Sequence, residues 1–143
     1  MSDIGHCQLV MSRVIAASPE RLFAAWTTPD QLRKWWGPPG GHCVDAQTDV
    51  RAGGSYRLDN RTADGELITI SGTFTEVSPP TRIAYTWQVD PGPAHSELVT
   101  VSFTRCDGGT DVVICHDRIT AEPVRREHAR GWASCLGRLA EWA

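Results

Sequence analysis

The segment PVRREHARGWASCLGRLAEW, residues 123–142, decides the fold of this chain. Its apolar side chains recur at steps of three and four residues, a spacing typical of one face of an α-helix. Pro123 suits the first position of a helix, where its missing N–H costs no hydrogen bond. The segment predicts a C-terminal helix of about five turns, whose apolar stripe consists of Val124, His128, Trp132, Cys135 or Leu136, Leu139 and Trp142.

The preceding part of the chain predicts a sheet that this helix can cover. Apolar and polar residues alternate there, and turn signals such as Asp64-Gly65 and Pro79-Pro80 separate the alternating runs. A twisted sheet with one apolar face is expected to bury that face under the single amphipathic helix. The predicted class is therefore α+β. The predicted strands cover residues 8–16, 42–50, 55–61, 66–77, 83–89, 99–103 and 110–119.

Two short helices are predicted between the first and second strands. Ser18 provides a capping hydroxyl, Pro19 suits the first helical position, and Glu20 places an acid in the first turn. Pro29 ends this helix and begins a second one. The glycine- and proline-rich residues 37–41 then stop the second helix.

The composition limits the classes of protein that this chain can represent. Its 143 residues fit one domain, residues 1–143, and 41% hydrophobic with 22% charged residues is typical of a globular chain. The formal net charge of −3 argues against a nucleic-acid-binding protein, which needs many cations to neutralise phosphates. No apolar run approaches the roughly 20 residues of a membrane-spanning helix.

The N-terminus and the cysteines point to a cytoplasmic location. Residues 1–6 lack the basic region and apolar core of a secretory signal. The five cysteines are scattered and form no CxxC motif, so they are expected to stay reduced. They are Cys7, Cys43, Cys106, Cys115 and Cys135.

Several short motifs follow one another in an order that resembles a known family. They are FAAWTTP at 23–29, WWGP at 35–38, DVRAGG at 49–54, Asp64-Gly65, Gly72, and Gly131-Trp132 ahead of Leu136 and Leu139. This order is similar to that of the SRPBCC superfamily, in the branch of activators of the heat-shock-protein ATPase. The resemblance extends from about Val10 to the end of the chain.

The resemblance implies a START-like, helix-grip fold with a cavity between the sheet and the last helix. In such a fold a curved antiparallel sheet wraps round a long C-terminal helix, and two short helices follow the first strand. Relatives of this type bind lipids, hormones or polyketide-like aromatic compounds, and some cyclise polyketides. The branch that names the family stimulates a chaperone ATPase.

Aromatic residues are the first candidates for the wall of such a cavity. The chain has six tryptophans, and an indole supplies a flat apolar surface and one N–H donor. The resemblance implies that Trp87 on a strand and Trp132 on the last helix face the same space, whereas Trp26 and Trp142 are interpreted as core. The candidate ligand-binding residues are Trp36, Arg51, Tyr85, Trp87, Phe103, His116, His128 and Trp132.

His116 and His128 are the candidate titratable groups of the cavity. His116 alternates with Val112 and Ile114, so it is expected to face the core or the cavity. There it could act as a general base, anchor a polar group of a ligand, or simply be a hydrogen-bonded core histidine. Asp117 and Glu97 could be acids near the mouth of the cavity, but solvated surface is their default interpretation. No catalytic constellation is recognisable from the sequence.

Three adjacent pairs, His6-Cys7, His42-Cys43 and Cys115-His116, raise the question of a metal site. Neighbouring side chains on a strand point to opposite faces, so the two members of a pair cannot readily reach one ion. The spacing of two to four residues that is usual between zinc ligands is also missing. We therefore expect no metal and no cofactor.

The arginines allow two interpretations. Arg51 could pair with Asp49 on the same strand face, or it could anchor an acidic ligand. Arg125, Arg126 and Arg130 cluster near the start of the last helix, where cations are mildly unfavourable. They form either a solvated face or a contact for an anion or a partner.

Three hypotheses about function follow. The first is a protein that binds a hydrophobic or aromatic small molecule between the sheet and the last helix. The second is a cyclase-like or hydrolase-like enzyme that uses His116 as its base in the same cavity. The third is an interaction module for a chaperone or a regulator. A homodimer is compatible with all three.

Overall fold

The computed structural model describes residues 7–143, and its elements agree with the predicted order. His6, of the pair His6-Cys7, lies outside the described residues. Within residues 7–143, seven strands and three helices follow one another in the predicted order, and their boundaries differ from the predicted ones by a few residues. They are β1 (Leu9–Ile15), α1 (Pro19–Thr27), α2 (Pro29–Trp35), β2 (His42–Thr48), β3 (Ser55–Arg61), β4 (Leu67–Ser78), β5 (Arg82–Asp90), β6 (Glu97–Cys106), β7 (Gly109–Asp117) and α3 (Glu122–Trp142).

The seven strands form one curled antiparallel sheet in the order β1-β7-β6-β5-β4-β3-β2. Strands that follow one another from β2 to β7 are neighbours, and β1 pairs with β7 from Leu9↔His116 to Ile15↔Thr110. Bulges interrupt the register between Cys43 and Asp45 and between Phe74 and Glu76. Such bulges bend strands, which helps the sheet to curl round α3.

The short helices begin where the capping signals predicted. Oγ of Ser18 accepts a hydrogen bond from the Arg21 backbone N–H over 3.1 Å, and prolines stand at the start of both α1 and α2. Nε1 of Trp35 donates to the carbonyl of Ala25 over 3.0 Å, so α2 is tied to α1. The two helices thus bring the adjacent Trp35 and Trp36 into the buried interior.

The core lies between the concave face of the sheet and the helices. Odd-numbered residues of β6 and even-numbered residues of β7 supply its centre, as expected for strands with one buried face. Trp132 of α3 lies within 6.1 Å of the Trp26 ring and 5.4 Å of the Trp87 ring, measured between centroids. The helix therefore contacts both the short helices and the sheet. No helix within residues 7–143 is long and apolar enough to cross a membrane.

The expectation that all cysteines stay reduced is wrong for one pair. Cys7 and Cys115 form a disulfide, with their Cα atoms 5.6 Å apart. Cys7, two residues before β1, comes close to β7 because the two strands pair, and the scattered spacing of the cysteines in the sequence does not reveal this proximity. Cys43, Cys106 and Cys135 are free. The cytoplasmic location relied partly on reduced thiols and stays a prediction.

Candidate functional site

A cavity of about 220 Å³ lies between the sheet, the loop after α2 and the middle of α3. We call it the main cavity. Three indoles, those of Trp36, Trp87 and Trp132, form much of its wall. Ile68, Ile70 and Val89 of β4 and β5, together with Pro38 and Pro39, make the remaining wall largely apolar, and Asn60 and His128 are its buried or half-buried polar groups.

A second cavity of about 220 Å³ lies beside the main cavity, near the β5–β6 loop. We call it the side cavity. Trp87, Val89, Glu127 and His128 border both spaces, and Glu97 and His95 border the side cavity alone. Within the described chain, no lysine or arginine lines either cavity. A bound group would therefore meet indoles, imidazoles and carboxylates rather than cations.

Further into the core, the space between the sheet and the helices is filled by aromatic side chains of the protein. The pocket that Trp26, Tyr56, Phe74 and Tyr85 line has a volume of about 20 Å³. That is room for about one water molecule. Nε1 of Trp26 donates to Oη of Tyr85 over 3.1 Å, which closes this region further. Tyr85 thus borders a nearly filled space and does not line the open cavities.

A buried carboxylate organises the polar side of the cavities. Oε1 of Glu97 lies 2.8 Å from Nε2 of His116 and also 2.8 Å from Nε2 of His128. The two imidazole rings stack with their centroids 4.1 Å apart. Glu97 is only 7% exposed, so its interpretation as a solvated surface acid is wrong. It stands on the buried face of β6, in alternation with Val99 and Val101.

The hydrogen bonds determine which ring nitrogens carry protons. Nε1 of Trp132 donates to Nδ1 of His116 over 3.0 Å, and an indole N–H can only donate. Nδ1 of His116 is therefore an acceptor, and the proton of the neutral ring sits on Nε2 and is donated to Glu97. Both nitrogens of His116 are engaged and its side chain is fully buried. This arrangement leaves His116 no free nitrogen with which to act as a base on a ligand.

The pKa shifts are consistent with an ionised Glu97 carboxylate beside a neutral His116 imidazole. Burial raises the pKa of Glu97, but the hydrogen bonds from His116 and His128 outweigh burial and bring the pKa to about 2. Burial lowers the pKa of His116, and the hydrogen bond to Glu97 opposes this only in part. Since the carboxylate carries no proton, Nε2 of His128 must donate the hydrogen bond between them.

The same three residues are also the right types for a metal ion. The ligand atoms of Glu97, His116 and His128 lie within 4.8 Å of one another. A metal on Nε2 of His116 would need Nδ1 to carry the proton, as metal-binding histidines donate through their second nitrogen. The bond from Trp132 occupies Nδ1 with a donor, so the cluster is built as a hydrogen-bonded network. A second such group, Cys7, Cys115 and Asp117, contains the disulfide.

Two polar atoms in the wall of the main cavity lack a partner. Nε1 of Trp87 and Oδ1 of Asn60 make no hydrogen bond with the described residues, although both are buried. The amide of Asn60 is oriented by its Nδ2, which donates to the carbonyls of Leu58 and Ile68. Buried polar groups are nearly always paired, so these two atoms are exceptions to the usual pattern, and neither presents accessible surface to the cavity.

The sequence-predicted residues fall into three groups. Trp36, Trp87, His128 and Trp132 line the main cavity, while Tyr85 borders the filled aromatic region and His116 lies behind the wall. Phe103 packs against Phe23 and Trp26 at 5.8 Å and borders neither cavity. Its buried face alone suggested the cavity, but the first helix covers this end of β6.

Arg51 lies away from the cavities. Its side chain is 69% exposed, and its Nε donates to the carboxylate of Asp49 over 2.9 Å. The alternative of a surface ion pair is therefore correct, and Arg51 does not reach the main cavity. Arg125 and Arg126 pair with Glu122 over 3.6 and 3.9 Å, which matches a solvated face of α3.

Sequence reasoning missed Glu97 and Asn60. Both could have been found from alternation, since Glu97 shares a face with Val99 and Val101, and Asn60 shares one with Tyr56 and Leu58. His42 is exposed and Cys43 buried, so the members of that pair do lie on opposite faces.

Comparisons with known proteins agree with this fold. Residues 16–143 match the family described as "Activator of Hsp90 ATPase homolog 1-like protein". The activator of 90 kDa heat shock protein ATPase homolog 1 of Mus musculus is 25% identical over 130 residues, which are 90% of this chain and 34% of that protein. The chain thus spans about a third of the length of this curated relative.

Solved structures are similar over nearly the whole chain. A protein of Chromobacterium violaceum has a TM-score of 0.82 and 29% identity, covering 93% of this chain and 94% of that one. The AHSA1 protein of Silicibacter pomeroyi has a TM-score of 0.81 and 29% identity, with the same coverage of 93% and 94%. The fold is therefore similar over nearly the whole length of these two relatives.

Proposed function

This chain belongs to the activator of Hsp90 ATPase homolog 1-like family, and from that premise we propose that it binds a small, largely apolar molecule in the main cavity. The observation that carries the proposal is a cavity of about 220 Å³ whose wall consists largely of indole and aliphatic side chains, with the half-buried His128 as a polar group. Apolar clefts with a few polar groups are the usual form of small-molecule sites.

The size of the cavity limits the ligand. An apolar cavity of about 150 Å³ can hold benzene, whereas common ligand pockets begin near 300 Å³. A molecule confined to the main cavity would therefore have about one or two rings, and a longer one would extend into the side cavity past His128. Indole walls favour a flat aromatic ligand, because rings pack well in tilted or edge-to-face arrangements.

Two glycines of α3 allow a sharp test. Gly131 lines the main cavity, and a Cβ built there would meet nothing within 4 Å. Gly137 stands on the same helix away from the cavities, and its Cβ would meet only the Arg13 guanidinium at 3.9 Å. Gly131→Leu should place a side chain in the main cavity. Gly137→Leu introduces the same side chain on the same helix outside the cavities, so it serves as the control.

The experiment titrates 2-methylnaphthalene into the parent and both variants and follows tryptophan fluorescence. We expect Gly131→Leu to weaken binding at least tenfold and Gly137→Leu to bind like the parent. Native mass spectrometry of the purified parent, compared with its denatured mass, would reveal a co-purified molecule. Equal binding by Gly131→Leu and the parent would show that the ligand does not occupy the main cavity.

Contact with a chaperone is a second candidate function. The observation in its favour is the match to the mouse protein whose name describes an activator of the 90 kDa heat shock protein ATPase. Such a contact would use the outer surface and would survive Gly131→Leu. The test is the ATPase rate of an Hsp90-type chaperone with and without this chain; an unchanged rate would remove this candidate. A homodimer stays a prediction.

A further inference from the structure

Resting on the proposed ligand-binding function, we infer that the ligand of the main cavity carries an aromatic hydroxyl group, which donates a hydrogen bond to Nδ1 of His128. The ligand class is therefore a phenol-like compound of one or two rings. Glu97 acts as a positioning residue, because it holds the imidazole through Nε2 and does not touch the ligand.

The first step concerns the acceptor. Nε2 of His128 lies 2.8 Å from Oε1 of Glu97, which carries no proton to give. Nε2 is therefore the nitrogen that donates to Glu97, and in the neutral form of the ring Nδ1 offers a lone pair. No hydrogen bond to Nδ1 of His128 is present within residues 7–143. Since His128 borders both cavities, this lone pair is the acceptor that the histidine can offer to a bound molecule.

The second step concerns the donor. Nε1 of Trp87 is buried without a partner, and the Trp87 ring stands edge-to-face to His128 with the centroids 5.8 Å apart. Nε1 of Trp87 presents almost no surface to the cavity, so the polar atom that a ligand meets on these two rings is the acceptor of His128. A hydroxyl group, which is neutral and donates one hydrogen bond, suits that acceptor.

The third step concerns charge. The charged residues that border the cavities are Glu97, which is buried, and Glu127, which is exposed. A carboxylate ligand would approach these acids without a lysine or arginine to balance it. A neutral hydroxyl avoids that repulsion and still supplies a proton to the acceptor. The charge around the cavities therefore favours a phenol over an aromatic acid.

The fourth step concerns rigidity. His128 stacks on His116 at 4.1 Å, and His116 is bonded to both Trp132 and Glu97. Trp132 lies one helical turn after His128, so one face of α3 supplies two members of the network. An acceptor already held in one orientation binds a ligand more tightly than a mobile one, because less side-chain entropy is lost on binding.

The experiment compares 2-naphthol with 2-methylnaphthalene, which has nearly the same shape and lacks the hydroxyl. The parent should bind 2-naphthol about tenfold more tightly, the effect of roughly one hydrogen bond. His128→Phe keeps a ring and removes the acceptor, so the ratio of the affinities for 2-naphthol and 2-methylnaphthalene should fall to about one. The control is His95→Phe, at an exposed histidine of the side cavity, which should keep the parent ratio.

A second measurement needs no variant. In ¹⁵N spectra of the parent, 2-naphthol should shift the Nδ1 resonance of His128, and 2-methylnaphthalene should not. Equal affinities for the two probes, or a preference that persists in His128→Phe, would overturn the inference and leave the apolar cavity intact. Failure of both probes to bind would overturn the proposed function itself and this inference with it.

Discussion

Nε1 of Trp132 donates a hydrogen bond to Nδ1 of His116 over 3.0 Å, and this bond joins α3 to β7 inside the core. Both side chains are almost completely buried. The bond places the proton of His116 on Nε2, and that proton then reaches Glu97 at the start of β6. A contact between a helix and a strand thereby determines which histidine stays available to the cavities, namely His128.

Trp132→Phe should therefore destabilise the domain by more than lost packing alone. The substitution leaves Nδ1 of His116 buried without a donor, which costs about 1–3 kcal/mol. The matched control is Trp142→Phe, near the end of the same helix, where the indole contacts Arg21 at 4.5 Å. Urea denaturation measures both. If the two variants lose the same free energy of unfolding, the hydrogen bond to His116 contributes nothing to stability.

The free energy of unfolding should fall in two stages as the pH is lowered. The pKa of His116 is lowered from 6.5, so below about pH 6.5 the unfolded chain takes up a proton that the folded chain does not. The pKa of Glu97 is lowered from 4.5 to about 2, so the stability that its ionised form provides is lost between about pH 4.5 and 2. The second stage is worth on the order of 3 kcal/mol.

Urea denaturation over a pH series checks these stages, with Glu97→Gln as the diagnostic variant. That variant cannot lose a proton in the acidic range, so its stability should change less than the parent's between about pH 4.5 and 2. The control is Glu20→Gln, because Glu20 pairs with Arg105 on the surface. An identical acid profile for the parent and Glu97→Gln would show that Glu97 is not the group responsible.

The fold was almost fully predictable because its signals are local. The apolar stripe of residues 123–142 predicts a helix and corresponds to α3. The alternation of Val99, Val101 and Phe103 predicts a strand and corresponds to β6. Each of these elements can be recognised from the spacing of its own apolar residues, without knowledge of its neighbours in the fold. The motifs that resemble the family then specified how the elements pack together.

The polar site was only half predictable because it depends on pairs that are distant in sequence. Glu97 and His128 are 31 residues apart, and no local pattern in the sequence shows that their side chains meet. A carboxylate is rarely buried, so solvent was the natural expectation. The disulfide between Cys7 and Cys115 spans 108 residues and is invisible for the same reason.

Gly131→Ala should stabilise the domain by about 1 kcal/mol. Alanine loses less backbone entropy than glycine in a helix interior, and the new methyl group meets no atom within 4 Å. Gly72→Ala is the opposite case, since its Cβ would lie 2.0 Å from the carbonyl oxygen of Thr86 on the neighbouring strand. In thermal denaturation, the melting temperature should be highest for Gly131→Ala, intermediate for the parent and lowest for Gly72→Ala. A loss of stability in Gly131→Ala would mean that the space beside Gly131 is not open.

Cys115→Ser should destabilise the domain through the unfolded state. The disulfide to Cys7 closes a loop of 108 residues, and in the chain-entropy account a loop of that size is worth about 4–5 kcal/mol, an amount that proteins often do not reach in full. Cys106→Ser changes a free, half-buried cysteine and serves as the control. The measurement is the melting temperature with and without a thiol reductant.

The melting temperature of the parent should fall on reduction, whereas that of Cys115→Ser should not change. If reduction leaves the parent unchanged, the cross-link between β1 and β7 does not hold the sheet edge together, and strand pairing from Leu9↔His116 onward is sufficient.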